Sequence, residues 1–272
     1  MRREELAANL AAVEGRLVAA CAAAGRPRDE VTLVAVTKTF PASDVHLLAS
    51  LGVTDVAENR DQEAKAKAAA CTPDLAPECA NLRWHFVGQL QRNKARSVVR
   101  YADVVHSVDR LELVDALATE AEKRRDTPLD VLIQVNLDTA AGLDTAKSHH
   151  AGAAAETPPV TGAPPVTELG PATRGGVDPG ELPMLAAEVA AATGLRLRGV
   201  MAVAPRGVEP DRAFAHLAKV AAELQGTYRD ALWISAGMSG DLESAIRHGA
   251  THVRVGSALL GKRWLVHGTV AG

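Results

Sequence analysis

Short apolar runs alternate with longer amphipathic ones along most of the chain. The runs at 31–37 (VTLVAVT), 53–57 (VTDVA), 82–88 (LRWHFVG), 103–108 (DVVHSV), 129–136 (LDVLIQVN), 195–203 (LRLRGVMAV), 232–236 (LWISA) and 252–256 (HVRVG) are bounded by polar or turn-forming residues and rich in β-branched side chains. They predict eight strands. Between them, apolar residues recur at helical spacing near 42–51, 59–70, 89–99, 110–124, 179–193, 209–225 and 240–248, and a further helical stretch at 2–24 precedes the first strand. Asp109, the Asp178-Pro179 pair and Pro210 stand where helix starts are expected.

Strands separated by helices must pair in parallel, because each connection has to cross back over the sheet. Eight such units in 272 residues fit a closed (β/α)8 TIM barrel preceded by an extra N-terminal helix. A doubly wound open sheet is the alternative. It usually carries a glycine-rich turn after its first strand, whereas here that strand runs into KTFPAS, which has no glycine. The segment 139–176 breaks the rhythm. It is rich in Ala, Gly, Pro and Thr, has no sustained period, and reads as a long flexible insertion in the loop after the fifth strand of one single domain. His149 and His150 lie inside it and are expected to be solvated, not to bind metal.

Composition narrows the picture further. Apolar residues make up 47% of the chain and aromatics only 3%, so the core is built from Ala, Val and Leu. The net charge of −3 gives no electrostatic case for nucleic acid. Cys21, Cys71 and Cys79 show no metal-ligand spacing, and reduced cytoplasmic thiols are expected. The N-terminal stretch carries charges from its second residue and reads as an amphipathic helix, not a signal peptide or a membrane anchor.

In an α/β barrel, chemistry sits at the C-terminal ends of the strands. That rule gathers Lys38, Glu58, Asn59, Gly88, Gln89, Asn93, Ser107, Asn136, Met201, Ser235, Gly237, Met238, Ser239, Arg254, Gly256 and Ser257 around one bowl. The stretches SAGMSGD (235–241) and VRVGSALLG (253–261) each leave a strand through glycine and serine. In the last two loops of a barrel this is the composition of a phosphate grip. Lys38, at the end of the first strand, could then be a counter-charge or an imine-forming amine. Arg254 would face the same ligand, and its charge favours the neutral form of a neighbouring amine. Aldehyde, phosphate and a cation beside a ring together suit pyridoxal 5′-phosphate. An arginine cannot hold a pyridine nitrogen protonated, so it weakens the electron sink that many reactions of that cofactor need.

These residues carry a resemblance. LVAVTKTFP (33–41), ENRDQEAKAK (58–67), WHFVGQLQRNKAR (84–96), SVDRLELVDAL (107–117), IQVNLD (133–138), RGVMAVAP (198–205) and the long run 235–263 cover nearly the whole chain apart from the insertion and the extreme ends. In these stretches the chain resembles the pyridoxal phosphate homeostasis proteins, also called the proline synthetase co-transcribed family, whose barrel is similar to the alanine racemase N-terminal domain. The resemblance implies that Lys38 forms a covalent aldimine with the cofactor and that Asn59 lies near it. It places Ser235, Ser239, Gly256 and Ser257 in the phosphate loops, with Gly237 in the first of them. Arg254 falls near the pyridine nitrogen, and Met201 and Met238 line the pocket. It implies a carrier that buffers or delivers the cofactor, with apo-enzymes as possible recipients and no catalytic residue; no metal is expected from the residue spacing, and the absence of a second domain favours a monomer. A racemase on the same cofactor is the alternative reading. Against it, Tyr101 and Tyr228 are read as lying outside the bowl, and the chain runs only nine residues past Arg263, too few for the second domain of alanine racemase. A Schiff-base aldolase acting on a phosphorylated sugar is a third reading, disfavoured by a lysine so early in the barrel.

The sequence departs from that family where Ala57 replaces a usual Gly, where Ala236 replaces a common Met, and in the loop after the fifth strand, where Arg174 and Gly176 stand at the positions of a Lys-x-Gly element. His85 is open to a catalytic or a core reading. The basic cluster Arg92, Lys94 and Arg96 is expected on one helix, solvated or available to an anion.

Overall fold

The computed structural model describes residues 1–138 and 175–261. Strands β1 (Thr32–Val36), β2 (Asp55–Glu58), β3 (Arg83–Phe86), β4 (Val104–Val108), β5 (Leu129–Gln134), β6 (Leu195–Met201), β7 (Trp233–Ser235) and β8 (His252–Val255) form a closed parallel barrel in sequence order. β8 pairs with β1 through Thr32–His252 to Ala35–Val255, which places Val34 beside Arg254. The open-sheet alternative is thereby excluded. Almost all of the insertion, including His149, His150 and Arg174, lies outside the described residues; Gly175 and Gly176 lie within them.

The surrounding helices are α1 (Arg2–Ala23), α2 (Ala42–Ser50), α3 (Asp61–Ala70), α4 (Ala95–Val98), α5 (Leu111–Glu122), α6 (Leu182–Ala191), α7 (Pro210–Thr227), α8 (Leu242–Arg247) and α9 (Ser257–Leu260). The helix expected near 89–99 is shorter than its pattern. Arg92–Lys94 form a 3-10 turn before α4, so the basic cluster is divided between the two. Asp109 does not cap α5; its carboxylate accepts from the Arg110 guanidinium instead. Pro210 does open α7, where a missing N–H costs nothing.

The main core lies between barrel and helices, as the Ala, Val and Leu composition demands. The barrel interior is different. It holds a small apolar cluster of Val104, Leu132 and Met201, flanked by Trp233, and beside it buried Asp55, His85, His106, Ser235, His252 and Arg254. α1 is long and apolar enough, by length and composition, to cross a membrane, which the sequence reading did not anticipate. Here it packs on α8 and α9. Arg2 donates to Asp44 and to the Leu260 carbonyl, and Asn9 donates to the Leu259 carbonyl. Arg16 clamps Glu243 with two hydrogen bonds of 2.8 and 2.9 Å and also donates to the Ser239 carbonyl at 2.9 Å. The extra helix therefore braces the loop that follows β7.

Candidate functional site at the barrel mouth

β1 delivers Lys38 through a braced end. Thr37 is fully buried, donates its N–H to the Ala57 carbonyl at 2.9 Å and its hydroxyl to Glu58 Oε1 at 2.6 Å. Lys67, reaching in from α3, donates to the same Glu58 oxygen at 2.5 Å and to the Thr37 carbonyl at 2.8 Å. Among the described residues, Glu58 Oε2 is buried without a partner. Burial raises the Glu58 pKa despite the hydrogen bonds from Lys67 and Thr37, which pull it down. One residue beyond Lys38, Thr39 adopts φ +71°, and its N–H donates to Glu63 at 3.0 Å. A β-branched residue in the left-handed region costs on the order of 1–3 kcal/mol, so surrounding contacts must hold it there.

Lys38 opens into a cavity of about 550 Å³ whose walls include Phe40, Met238, Ser239, Arg254, Gly256 and Ser257. Among the described residues the Lys38 amine has no ion pair or hydrogen bond. The loop after β7 is shaped by Gly237 at φ +87°, where a Cβ would fall 2.6 Å from the Ala245 side chain. Its carbonyl accepts the Arg254 N–H at 2.9 Å, which ties this loop to β8. Asp241 accepts the Met238 N–H at 2.6 Å, and the Ser239 hydroxyl accepts from Ser257 Oγ and the Ala258 N–H, both at 3.3 Å. The two serine-bearing loops are therefore joined at the cavity rim.

Arg254 closes the floor. It is 5% exposed, and among the described residues no carboxylate pairs with it. Burial lowers its pKa to about 10, so it remains charged at neutral pH. Nη1 donates to Ser235 Oγ at 2.6 Å and Nη2 to the Ala202 carbonyl at 2.8 Å. From Ser235 the contacts continue inward: Oγ to His106 Nδ1 at 2.9 Å, His106 Nε2 to His85 Nδ1 at 2.8 Å, and His85 Nε2 to Asp55 Oδ1 at 2.9 Å. Burial, with the cationic groups around it, holds His106 well below the usual imidazole range. With both rings neutral, a single arrangement satisfies every contact. Arg254 donates to Ser235, Ser235 to His106, His106 to His85, and His85 to the Asp55 carboxylate. Asp55, whose pKa is lowered by its hydrogen bonds and charge partners against the effect of burial, receives the last of them.

Six of the ten sequence-expected site residues therefore line one cavity: Lys38, Met238, Ser239, Arg254, Gly256 and Ser257. Gly237 shapes its wall. Ser235 lies beneath Arg254, fully buried, with its hydroxyl committed inward. Met201 is buried in the barrel's apolar cluster. Asn59 lines a neighbouring 770 Å³ cavity with Gln89, Lys94 and Arg110, and Gly88 is required beside it because a Cβ there would lie 2.1 Å from the Asn59 carbonyl oxygen. His85 is a buried, hydrogen-bonded histidine. His106 and Asp55 were not singled out in the sequence, where each is a polar residue in a short, otherwise largely apolar strand; the only signal was a polar group where the strand should be buried. Ala57 and Ala236 are buried without positive φ, so neither departure demands a glycine. Tyr101 is bonded to Asp61 at 3.3 Å, and neither it nor Tyr228 lines the Lys38 cavity.

Comparisons agree with this geometry. A profile of the alanine racemase N-terminal domain matches residues 167–263. Alanine racemase from Corynebacterium glutamicum superposes with a TM-score of 0.59 at 14% identity, over 97% of this chain and 62% of that one, a likeness of fold alone. PipY of Synechococcus elongatus, solved with PLP bound, superposes with a TM-score of 0.68 at 30% identity over 94% of this chain and all of that one. The pyridoxal phosphate homeostasis protein of Mycobacterium bovis is 41% identical over 97% of this chain and 95% of its own length. That of Escherichia coli K12 is 34% identical over 95% and 97%. With that identity sustained end to end, the chain belongs to the pyridoxal phosphate homeostasis protein family.

Proposed function

We propose that this protein binds pyridoxal 5′-phosphate at the Lys38 cavity and serves as a carrier in its homeostasis. The observation that supports it most is the pairing, in one cavity, of an amine and a buried guanidinium, neither of which is paired with a carboxylate among the described residues. A buried cation left without an anion is costly unless a ligand supplies acceptors. The cavity, about 550 Å³, falls within the roughly 300–1,000 Å³ of small-molecule sites. When bound, the cofactor would supply an aldehyde reactive toward a primary amine. Lys38 would provide that amine and serve as the covalent anchor. Ser239 and Ser257 would offer hydroxyls to its phosphate, and Arg254 would face its ring. The inward row ending at Asp55 holds Ser235 as an acceptor for Arg254 and so fixes the guanidinium plane.

Among the described residues, the cavity wall carries no histidine, cysteine, carboxylate or tyrosine. Lys38 is its one side chain able to act as a base, which favours retention of the cofactor over turnover. The test is incubation of the full chain with the cofactor, borohydride reduction and peptide mass mapping. The expected result is a cofactor mass on Lys38 peptides, absent in Lys38→Ala. Labelling spread over surface lysines would refute the assignment. Rapid multiple-turnover racemisation of alanine would replace the carrier reading with an enzymatic one.

A further inference from the structure

Outside the barrel, three side chains from separate segments meet. His46 projects from α2, Cys71 ends α3, and Cys79 closes a 3-10 turn at Pro77–Cys79. One ligand atom from each lies within 4.8 Å of the other two. Both thiols are free and buried, at 4% and 3% exposure. His46 Nε2 is buried with no hydrogen-bond partner among the described residues, while its Nδ1 faces Glu78 Oε1 at 3.4 Å. The backbone that brings the cysteines together is tightly turned: Leu75 and Ala76 N–H both reach the Thr72 carbonyl, Cys79 reaches Ala76, and Leu82 reaches Cys79.

We propose that His46, Cys71 and Cys79 form a binding site for a thiophilic transition-metal ion, with zinc(II) as its probe. Two thiolates and an imidazole are the donor set that zinc selects. Zn–S bonds of about 2.3 Å and Zn–N bonds of about 2.0 Å put ligands of one tetrahedral centre about 3.5–3.8 Å apart, so a small side-chain rotation closes the cluster. A carboxylate on the far nitrogen of a liganding histidine is the usual outer support; it fixes the tautomer and leaves the other nitrogen free for the metal. Glu78, with Oε1 3.4 Å from Nδ1, stands close enough to give that support. The fourth position is left to water. The three residues are not lining residues of the Lys38 cavity, so the site is separate from cofactor binding. Bound metal would tie α2 to the loop between α3 and β3 and raise stability by mass action.

The test uses the full-length, reduced protein without added cofactor. Zinc(II) is titrated in competition with a chromogenic chelator, and cobalt(II) is added as a spectroscopic substitute. We expect one zinc per chain, a rise in Tm on zinc addition, and sulfur-to-cobalt charge-transfer absorption with intense tetrahedral ligand-field bands. Cys71→Ser and Cys79→Ser should each abolish the charge-transfer pattern of a two-thiolate site while retaining the circular dichroism spectrum. Glu78→Gln, which removes no ligand, should weaken zinc roughly 10–100-fold. The proposal is overturned if reduced wild type does not compete with the chelator, or if binding survives both cysteine variants. It is also overturned if the protein isolated without reductant is two hydrogens lighter, with Cys71 and Cys79 linked by a disulfide formed with oxygen as oxidant, and the reduced form takes up no metal.

Discussion

Two lysines converge on the end of β1, and their surroundings give them opposite work. Lys67 is 8% exposed, and its ammonium is consumed by Glu58 and the Thr37 carbonyl. Lys38, one residue past that carbonyl, stands in an open cavity with its amine uncommitted among the described residues. The first braces the strand from which the second projects. The difference shows that a lysine's chemistry is set by whether its partners are already present in the fold.

The sharpest way to break the comparison is to remove each amine in turn. Lys38→Ala should eliminate covalent retention of the cofactor, read by mass after borohydride reduction, while changing the unfolding free energy by no more than about 0.5 kcal/mol. Lys67→Met should do the reverse to stability. It strands a buried carboxylate and should cost about 3–5 kcal/mol in urea denaturation. Adding Glu58→Gln to it should recover most of that loss, because the stranded charge is then gone.

A smaller effect separates the braced interior from the bowl by pH. His106 and His252 are buried and held below the usual imidazole range, His252 at about 3. An unfolded histidine titrates near 6.5. Between those values the unfolded chain binds protons that the folded chain refuses. Stability present above about pH 6.5 should therefore fall as the solution is acidified, with a limiting slope of about 1.4 kcal/mol per pH unit for each histidine. Glu58 opposes this: its raised pKa means the folded state takes up its proton first, which adds stability as the pH falls toward the usual carboxylate range. Urea midpoints from pH 7 to 4.5 should show the net loss, and His252→Gln should roughly halve its slope. The smallest effect is expected at the rim. Ser239→Ala removes one hydroxyl and should weaken cofactor affinity by about 1 kcal/mol, roughly fivefold, with the Lys38 linkage still formed.

Much of this molecule is written in local pattern. All eight strands lie where short apolar runs stand, and parallel closure follows from their alternation with helices. The bowl residues Lys38, Ser239, Arg254 and Ser257 could be placed because a barrel puts strand ends together, so position along a strand becomes position in space. Helix ends were less legible, as at Arg92–Val98, where tertiary packing decides how many turns survive.

What the chain alone determined was therefore the fold, the face that carries the candidate site, and the types of group found there. Periodicity and turn chemistry act over a few residues and survive in one dimension. Only the tertiary structure decided which polar groups are already satisfied. Ser235 looks in sequence like any serine at a strand end, yet its hydroxyl is held between Arg254 and His106. Asp55, His85 and His106 come from three strands, and His46, Cys71 and Cys79 from three segments. Hydrogen bonds and ligand clusters form across such distances in the chain, and their energetics depend on burial, which no single residue's identity specifies.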